Sequence, residues 1–531
     1  MLGSPITAKA PIGNVVDYLF EKSGAPGHAG RPALLLDDAD RTVVTYGALQ
    51  ARVCQAGHYL RSLGIGEGDR VMFSVMDGLD FEALFLGGIK IGAVTIPINT
   101  WLKPRDYAYY VNDSGCRAVV IDHSLVPLFE GIRDRLESVE HIVVTRQRVE
   151  GYPFLDGELD RFPETLETFP QAPDDTAFWL YSSGSTGDPK GVVHTHEHIY
   201  WATELFGIAV QKIVPDDVVF CPPKMFFAYG LGNQVYFPIR AGAANVVGSG
   251  PILPGTCWDL WLEHRPTIVM SVPTLYAAML QTAENEIGRE AVREACARMR
   301  FSVSGGELLP PSLFDRWKEF TGVEILDGVG TTEMTHMFLL NRPGAAVPNS
   351  CGRLVDGFGA KIVDDEGNPV PQGEVGNLRA FGPSAATEYW NKPERTAQVF
   401  GGGGVLTGDK FHVDKDGNFF IVGRSDDMLR VGGIWVSPTE IEAAIAEYDG
   451  VLESAVIGRP DDEELIKPHA YVVLKDGFAP AGGEDGLADA LRSHVRERLA
   501  HYKCPRWIDF VDELPKTTTG KIQRYKLRQS G

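Results

Sequence analysis

Short apolar runs alternate with longer amphipathic stretches over the first 350 residues of the chain. The runs "RVMFSV" (70–75), "RAVVID" (117–122), "HIVVTR" (141–146), "TIVMSVP" (267–273) and "RFSVSGG" (300–306) read as strands. Between them, segments such as 46–64 and 274–285 repeat their apolar positions at helical spacing. Strands of this kind separated by helices predict mostly parallel sheets covered on both faces. From about 352 to 424 the turns become glycine-rich ("DDEGNP", "PQGEVGN", "GGGG", "DKDGN") and the strands short, which predicts a small antiparallel β unit. After "GRSDD" (423–427) an α+β pattern begins, and its first helix opens with a Ser-x-x-Glu capping box, Ser437 and Glu440. The expected organisation is a large α/β domain over 1–425 and a small mobile α+β domain over 426–531.

The length of 531 residues is enough for two to four structural units. A net charge of −21 argues against a nucleic-acid binder. The balance is uneven: residues 492–528 hold ten Lys/Arg against four Asp/Glu, a solvated face or a contact for a small polyanion. No apolar run is long enough to span a bilayer, and the N-terminus lacks a secretory pattern. Seven cysteines without CxxC spacing suit a reducing compartment, so a cytoplasmic location with no membrane partner is expected.

The stretch "YSSGSTGDPKG" (181–191) carries the most chemistry. Its glycines, Gly184, Gly187 and Gly191, permit a turn whose amides form a concave anion site. Ser182, Ser183, Ser185 and Thr186 add hydroxyl donors, and Lys190 adds a positive charge. Together they suit a polyphosphate, yet Lys190 is followed by Gly, so this is not a Walker A loop.

This loop resembles the signature of the adenylate-forming superfamily of acyl- and aryl-CoA synthetases, luciferases and adenylation domains. Four further segments resemble that family's motifs, in its order: "DGVGTTE" (327–333), "LTGD" (406–409), "GRSDDMLRVGG" (423–433) and "PKTTTGKIQR" (515–524). The resemblance implies ATP, Mg and coenzyme A as cofactors. In it, Thr332 bonds the α-phosphate, Glu333 holds Mg, and Asp409 accepts from the ribose, with Arg424 nearby. Gly306, Glu307 and Asp327 lie near the base, where Val329 replaces the Tyr of many members. Lys521 bridges the attacking carboxylate and the α-phosphate, Asp426 is the hinge, and Arg430, Gly432 and Gly433 line a passage for CoA.

The acid is read from "PKMFFAYGLGN" (223–233) and "TTEMTHMF" (331–338), which look like the benzoate–CoA ligase subgroup. Phe227, Ala228, Tyr229, Gly230, His336 and Met337 are the expected pocket, with aromatic walls and small gaps for a flat ring. Hydroxybenzoate, 2-furoate and cyclohexanecarboxylate stay open as substrates, as does an acceptor other than CoA. The expected assembly is a monomer or homodimer.

Overall fold

The computed structural model describes residues 1–23, 25, 27–182, 188–307, 309–425, 427–431, 434–461, 465–478, 483–516 and 522–530. Two large sheets occupy the first 350 residues. In the six-stranded sheet, His141–Thr145, Ala118–Asp122, Arg70–Ser74, Val94–Pro97 and Thr176–Ser182 run parallel in that order, and Lys190–Thr195 closes the edge antiparallel. In the nine-stranded sheet, six central strands are parallel, from Ile325–Gly330 across to Pro32–Leu36, with antiparallel strands at both edges. All five strand-like runs of the sequence are strands of these sheets. Every residue of Ala118–Asp122 is buried, as expected for a strand covered on both faces.

The antiparallel unit is a five-stranded sheet built from Gly359–Val363, Gly376–Phe381, Val405–Val413 and Phe419–Arg424, with an edge strand supplied by Leu2–Gly3. One buried cluster takes residues from all three sheets, among them Phe178, Val303 and Phe411, together with the helices Tyr46–Ser62 and Leu79–Lys90. A second core behind the nine-stranded sheet stacks Trp258, Trp261 and Trp317, with ring centroids 4.9–6.3 Å apart. Burying each such side chain contributes about 2–3 kcal/mol before entropy is counted.

Beyond residue 428 the chain has a separate core, in which Leu429, Val436, Ile445, Val472, Leu491 and Ile508 pack together. Its helix Pro438–Ala446 begins as expected at Ser437, whose hydroxyl accepts from the Glu440 N–H. The Glu440 carboxylate does not fold back to complete the capping box. It accepts instead from Lys503 Nζ at 2.5 and 2.7 Å, a charged partner that outcompetes a neutral amide. Arg524 of the final helix, Arg524–Ser530, grips Glu442 with both oxygens at 2.6–2.8 Å. Asp427 receives Arg524 at 3.4 Å and Arg528 at 2.7 Å. Arg492, Arg498, Arg506 and Lys516 are likewise paired with carboxylates, so much of the basic run serves this domain's own packing.

Candidate active site

The site lies where the three sheets meet. Ser182 and Lys190 face each other across the hairpin that carries the glycine-rich loop. Ser183, Gly184, Ser185, Thr186 and Gly187 lie outside the described residues. The loop's two flanks are held by the helix Pro104–Ser114. Tyr181 donates its hydroxyl to Asp113 at 2.8 Å, and the Tyr109 hydroxyl donates to the Pro189 carbonyl at 2.9 Å.

Thr332 and Glu333 sit on a single tight turn, Thr332–Met334, immediately after the strand Ile325–Gly330. Glu333 Oε1 accepts from the Tyr389 hydroxyl at 2.8 Å. The Lys190 ammonium lies over the Tyr389 ring, 5.2 Å from its centroid. Tyr389 is also joined to the six-stranded sheet by a bridge to Val192. Burial and the Glu333 carboxylate raise the Tyr389 hydroxyl far above its ordinary range, while Arg424 acts in the opposite direction. Arg424 pairs with Asp409 at 3.2 Å, and the two are opposite each other on neighbouring strands of the five-stranded sheet. Asp409 is nearly buried and Arg424 half-exposed, so the carboxylate is held in place by the cation. Lys190 and Glu333, far apart in sequence, thus meet at one aromatic residue.

Tyr389 was not singled out from the sequence. In "TEYWNKPE" it reads as an aromatic pair ahead of a helix start, and nothing local sets it apart. Its role is legible only through contacts with residues 56 and about 200 positions away. Tyr389→Phe removes one charge-directed hydrogen bond to Glu333 while keeping the ring under Lys190. The expected result is an adenylation rate about ten-fold lower, equivalent to about 1.4 kcal/mol, with the melting temperature little changed. Pyrophosphate exchange and thermal unfolding measure both.

Asp327 is in the strand Ile325–Gly330 and is buried. Gly306 and Glu307 follow the strand Phe301–Ser304 and are exposed; Glu307 accepts from the Thr274 hydroxyl. Val329 sits opposite Leu339 and packs on the central core. Burial pushes the Asp327 carboxyl up to about 8 from its ordinary 3.8, against the opposing pull of the Gly328 and Leu309 amides. Because the folded value is raised, this group favours folding below about pH 4, and that contribution is lost as pH climbs towards 8. Asp327→Asn cannot ionise. Its urea-unfolding free energy is expected to fall less between pH 5 and 8 than that of the parent, by up to about 4 kcal/mol.

The expected acid-pocket residues come together. Phe227 packs on Phe226, with centroids 4.7 Å apart. Ala228–Leu231 is a helix, not the core strand that its apolar content allows, and Tyr229 projects from it to lie against His336 at 5.6 Å, nearly parallel. Behind Tyr229, the His336 ring is enclosed by Phe206 and Phe237 at 4.9 and 4.7 Å. Burial depresses His336 to about 3, so the ring is neutral. The Tyr229 hydroxyl donates to the Val303 carbonyl at 3.3 Å. Gly230 is required by close approach: a Cβ there would overlap the Lys224 and Pro223 carbonyls, so its small size serves the backbone and opens no gap for a ring. Gly305 is the meeting point of the two halves of the site. A Cβ there would overlap the Met337 methyl and touch the Tyr229 ring, so the acid-pocket walls stand directly against the strand end that leads to Gly306 and Glu307.

Asp426, Gly432, Gly433 and Lys521 lie outside the described residues. The backbone of Arg430 is in the strand Leu429–Val431, which pairs with Ile434–Val436. Among the described residues, no three His, Cys, Asp or Glu side chains cluster as a metal site. None of the described helices is long and apolar enough to cross a membrane.

Fold and site together place a cluster of aromatic side chains beside the strand end and turn that carry the motif residues Thr332 and Glu333. The AMP-binding enzyme family matches residues 21–390, and the AMP-binding enzyme C-terminal domain matches residues 440–521. The chain belongs to the AMP-binding enzyme family. It is 43% identical over 519 residues to the benzoate–CoA ligase of Thauera aromatica, covering 97% of this chain and 96% of that one. Among solved structures, it superposes with a TM-score of 0.90 and 39% identity on the anthranilate CoA ligase AuaEII in complex with anthranoyl-AMP, covering 98% of each chain. A benzoate CoA ligase from Burkholderia xenovorans LB400 gives a TM-score of 0.86 at 39% identity, covering 97% of this chain and 100% of that chain.

Proposed function

We propose that the protein is an AMP-forming acid–thiol ligase that activates an aromatic carboxylic acid, benzoate first among them, and passes the acyl group to coenzyme A. The observation that carries this reading is the close packing at Gly305, where a Cβ would meet Met337 and Tyr229, walls of the expected acid pocket, at the strand end expected beside the nucleotide. A carboxylate seated against Tyr229 and Met337 is thereby brought close to the α-phosphate. In the first step its oxygen bonds to that phosphorus and pyrophosphate leaves. In the second the thiolate of CoA bonds to the acyl carbon and AMP leaves.

Both partners in the first step are anions, so the protein must align them and offset their charge. Lys190 and the loop amides face the phosphates, Thr332 bonds the α-phosphate, and Asp409, steadied by Arg424, accepts from the ribose. Glu333 fits a hard cation. Its carboxylate is half-buried, and one oxygen is committed to Tyr389. Magnesium is commonly held in this way, by one or two carboxylates plus phosphate oxygens. When bound, that ion supplies charge neutralisation on the polyphosphate. Lys521 brings a second cation to the attacking oxygen, and the boundary between the two domains falls at 425/426, with Asp426 as the pivot.

Phe226 has a second face. With Asp77, Thr100, Trp101, Arg146 and Lys224 it lines a cavity of about 240 Å³. Lys224 is buried there and already bonded to the Gly248 and Gly250 carbonyls and to Asp77, so it is the aromatic walls, with Arg146, that suit the phosphate-bearing arm of CoA.

A hydroxy- or amino-substituted benzoate is the second reading, favoured by the likeness to the anthranilate CoA ligase. The deciding experiment is pyrophosphate exchange with benzoate, the three hydroxybenzoates, anthranilate, 2-furoate and cyclohexanecarboxylate, each followed by a CoA-dependence assay. Exchange strongest with benzoate or a substituted benzoate, and thioester formed only with CoA, is the expected result. No exchange with any aromatic acid would sink the reading.

A further inference from the structure

The turn that carries Glu333 ends in an unusual backbone. Thr335 closes it at φ 67° and ψ −42°, a positive-φ conformation outside the left-handed helical region, which a β-branched residue adopts only when its surroundings impose it. Those surroundings form a clamp. The Thr335 hydroxyl donates to the Ser384 carbonyl at 2.7 Å, and the Ser384 hydroxyl donates to the Met334 carbonyl at 2.9 Å. The Ala386 N–H donates to the Glu333 carbonyl at 2.8 Å. On the other side lies His194, fully buried on the strand Lys190–Thr195, with its ring stacked on Phe178 at 4.7 Å. His194 Nδ1 is 3.2 Å from the Thr335 oxygen.

The direction of that bond follows from counting protons. The single hydroxyl proton of Thr335 is directed at Ser384, so its oxygen is left as an acceptor, and the His194 Nδ1–H must be the donor. A neutral ring supplies that donor, and burial keeps the ring neutral. Each residue from Glu333 to Thr335 is therefore fastened by groups that are themselves buried.

We propose that His194 and Ser384 are positioning residues for the reaction: by holding Thr335 in its positive-φ conformation they fix the direction in which the Glu333 carboxylate is presented to the metal–nucleotide complex. The proposal rests on the reading of Glu333 as the metal-binding carboxylate. It places the control of metal affinity in a strand and a loop outside the motif that bears the carboxylate.

The test compares His194→Leu, His194→Asn and Ser384→Ala with Glu333→Gln in the full-length protein. Three quantities are read: the Mg²⁺ concentration for half-maximal pyrophosphate exchange, the rate of thioester formation from supplied benzoyl-adenylate, and the melting temperature. His194→Leu keeps an apolar packing surface against Phe178 but donates nothing. It is expected to raise the Mg²⁺ requirement about ten-fold and to leave thioester formation within about two-fold. His194→Asn offers an amide N–H near the position of Nδ1 and should restore most of the loss. Ser384→Ala removes a single oxygen and is expected to shift the Mg²⁺ requirement in the same direction, so it carries the test should the leucine variant not fold. A parental Mg²⁺ requirement in both His194→Leu and Ser384→Ala would overturn the proposal. So would equal loss of both half-reactions with a lowered melting temperature, since that marks a purely structural role. If Glu333→Gln leaves the Mg²⁺ requirement unmoved, the metal reading of Glu333 itself fails and the positioning role falls with it.

Discussion

Replacing Lys521 with alanine is expected to slow acyl-adenylate formation by about 10³-fold, or about 4 kcal/mol of transition-state stabilisation. The reason is the charge balance of the first step. A carboxylate approaches a polyphosphate, and the negative charge that develops between them needs a cation on the approach line. In the proposed reaction Lys190 and Glu333, with the ion it would hold, attend to the phosphates already bound, so neither would replace an ammonium at the incoming oxygen. The second step differs: the acyl-adenylate is less charged at its reacting carbon, and the lysine is not required there. Thioester formation from supplied benzoyl-adenylate should therefore remain within about three-fold of the parent. A comparable fall in both half-reactions would show that the lysine acts on substrate binding or folding instead.

The second large effect is expected at Glu333. Glutamine preserves the shape of the side chain, and its amide oxygen still accepts from the Tyr389 hydroxyl, so the turn is retained. What is lost is one negative charge facing the cation that accompanies the nucleotide. Adenylation is expected to fall by about 10²-fold, with part of the loss recovered at high Mg²⁺, because weakened binding is offset by concentration. An unaltered rate at low Mg²⁺ would show that the polyphosphate carries its own metal without help from this residue.

Much of this architecture is readable from the chain because parallel strands buried on both faces leave continuous apolar runs. Ala118–Asp122 is such a case, with all five residues buried. The helix Ala228–Leu231 was harder to read. Gly230 within it and Gly232 just after it disfavour a helix by propensity, but tertiary contact with the Lys224 carbonyl overrides that preference. Site residues that belong to a contiguous motif, such as Thr332 and Glu333, are visible in sequence. Tyr389, Ser384 and His194 are not, because their partners are 50 or more positions away and their residue types are ordinary in their local settings. The basic run at 492–528 illustrates the converse. Its charge density suggests an external anion, while many of its cations are satisfied by carboxylates of the same domain.

The ion pairs of the final helix bear on how a swivel of that domain is felt at the active site. Arg524 and Arg528 tie the stretch just after Lys521 to Asp427, the neighbour of the proposed pivot, while Glu442 clamps Arg524 to the first helix of the domain. Crank and handle are thereby one piece. A few degrees of rotation at 426 sweep the helix that follows the lysine through a proportionate arc, with little slack to absorb it. Cutting either arginine would leave the swivel free to turn and its far end lagging behind.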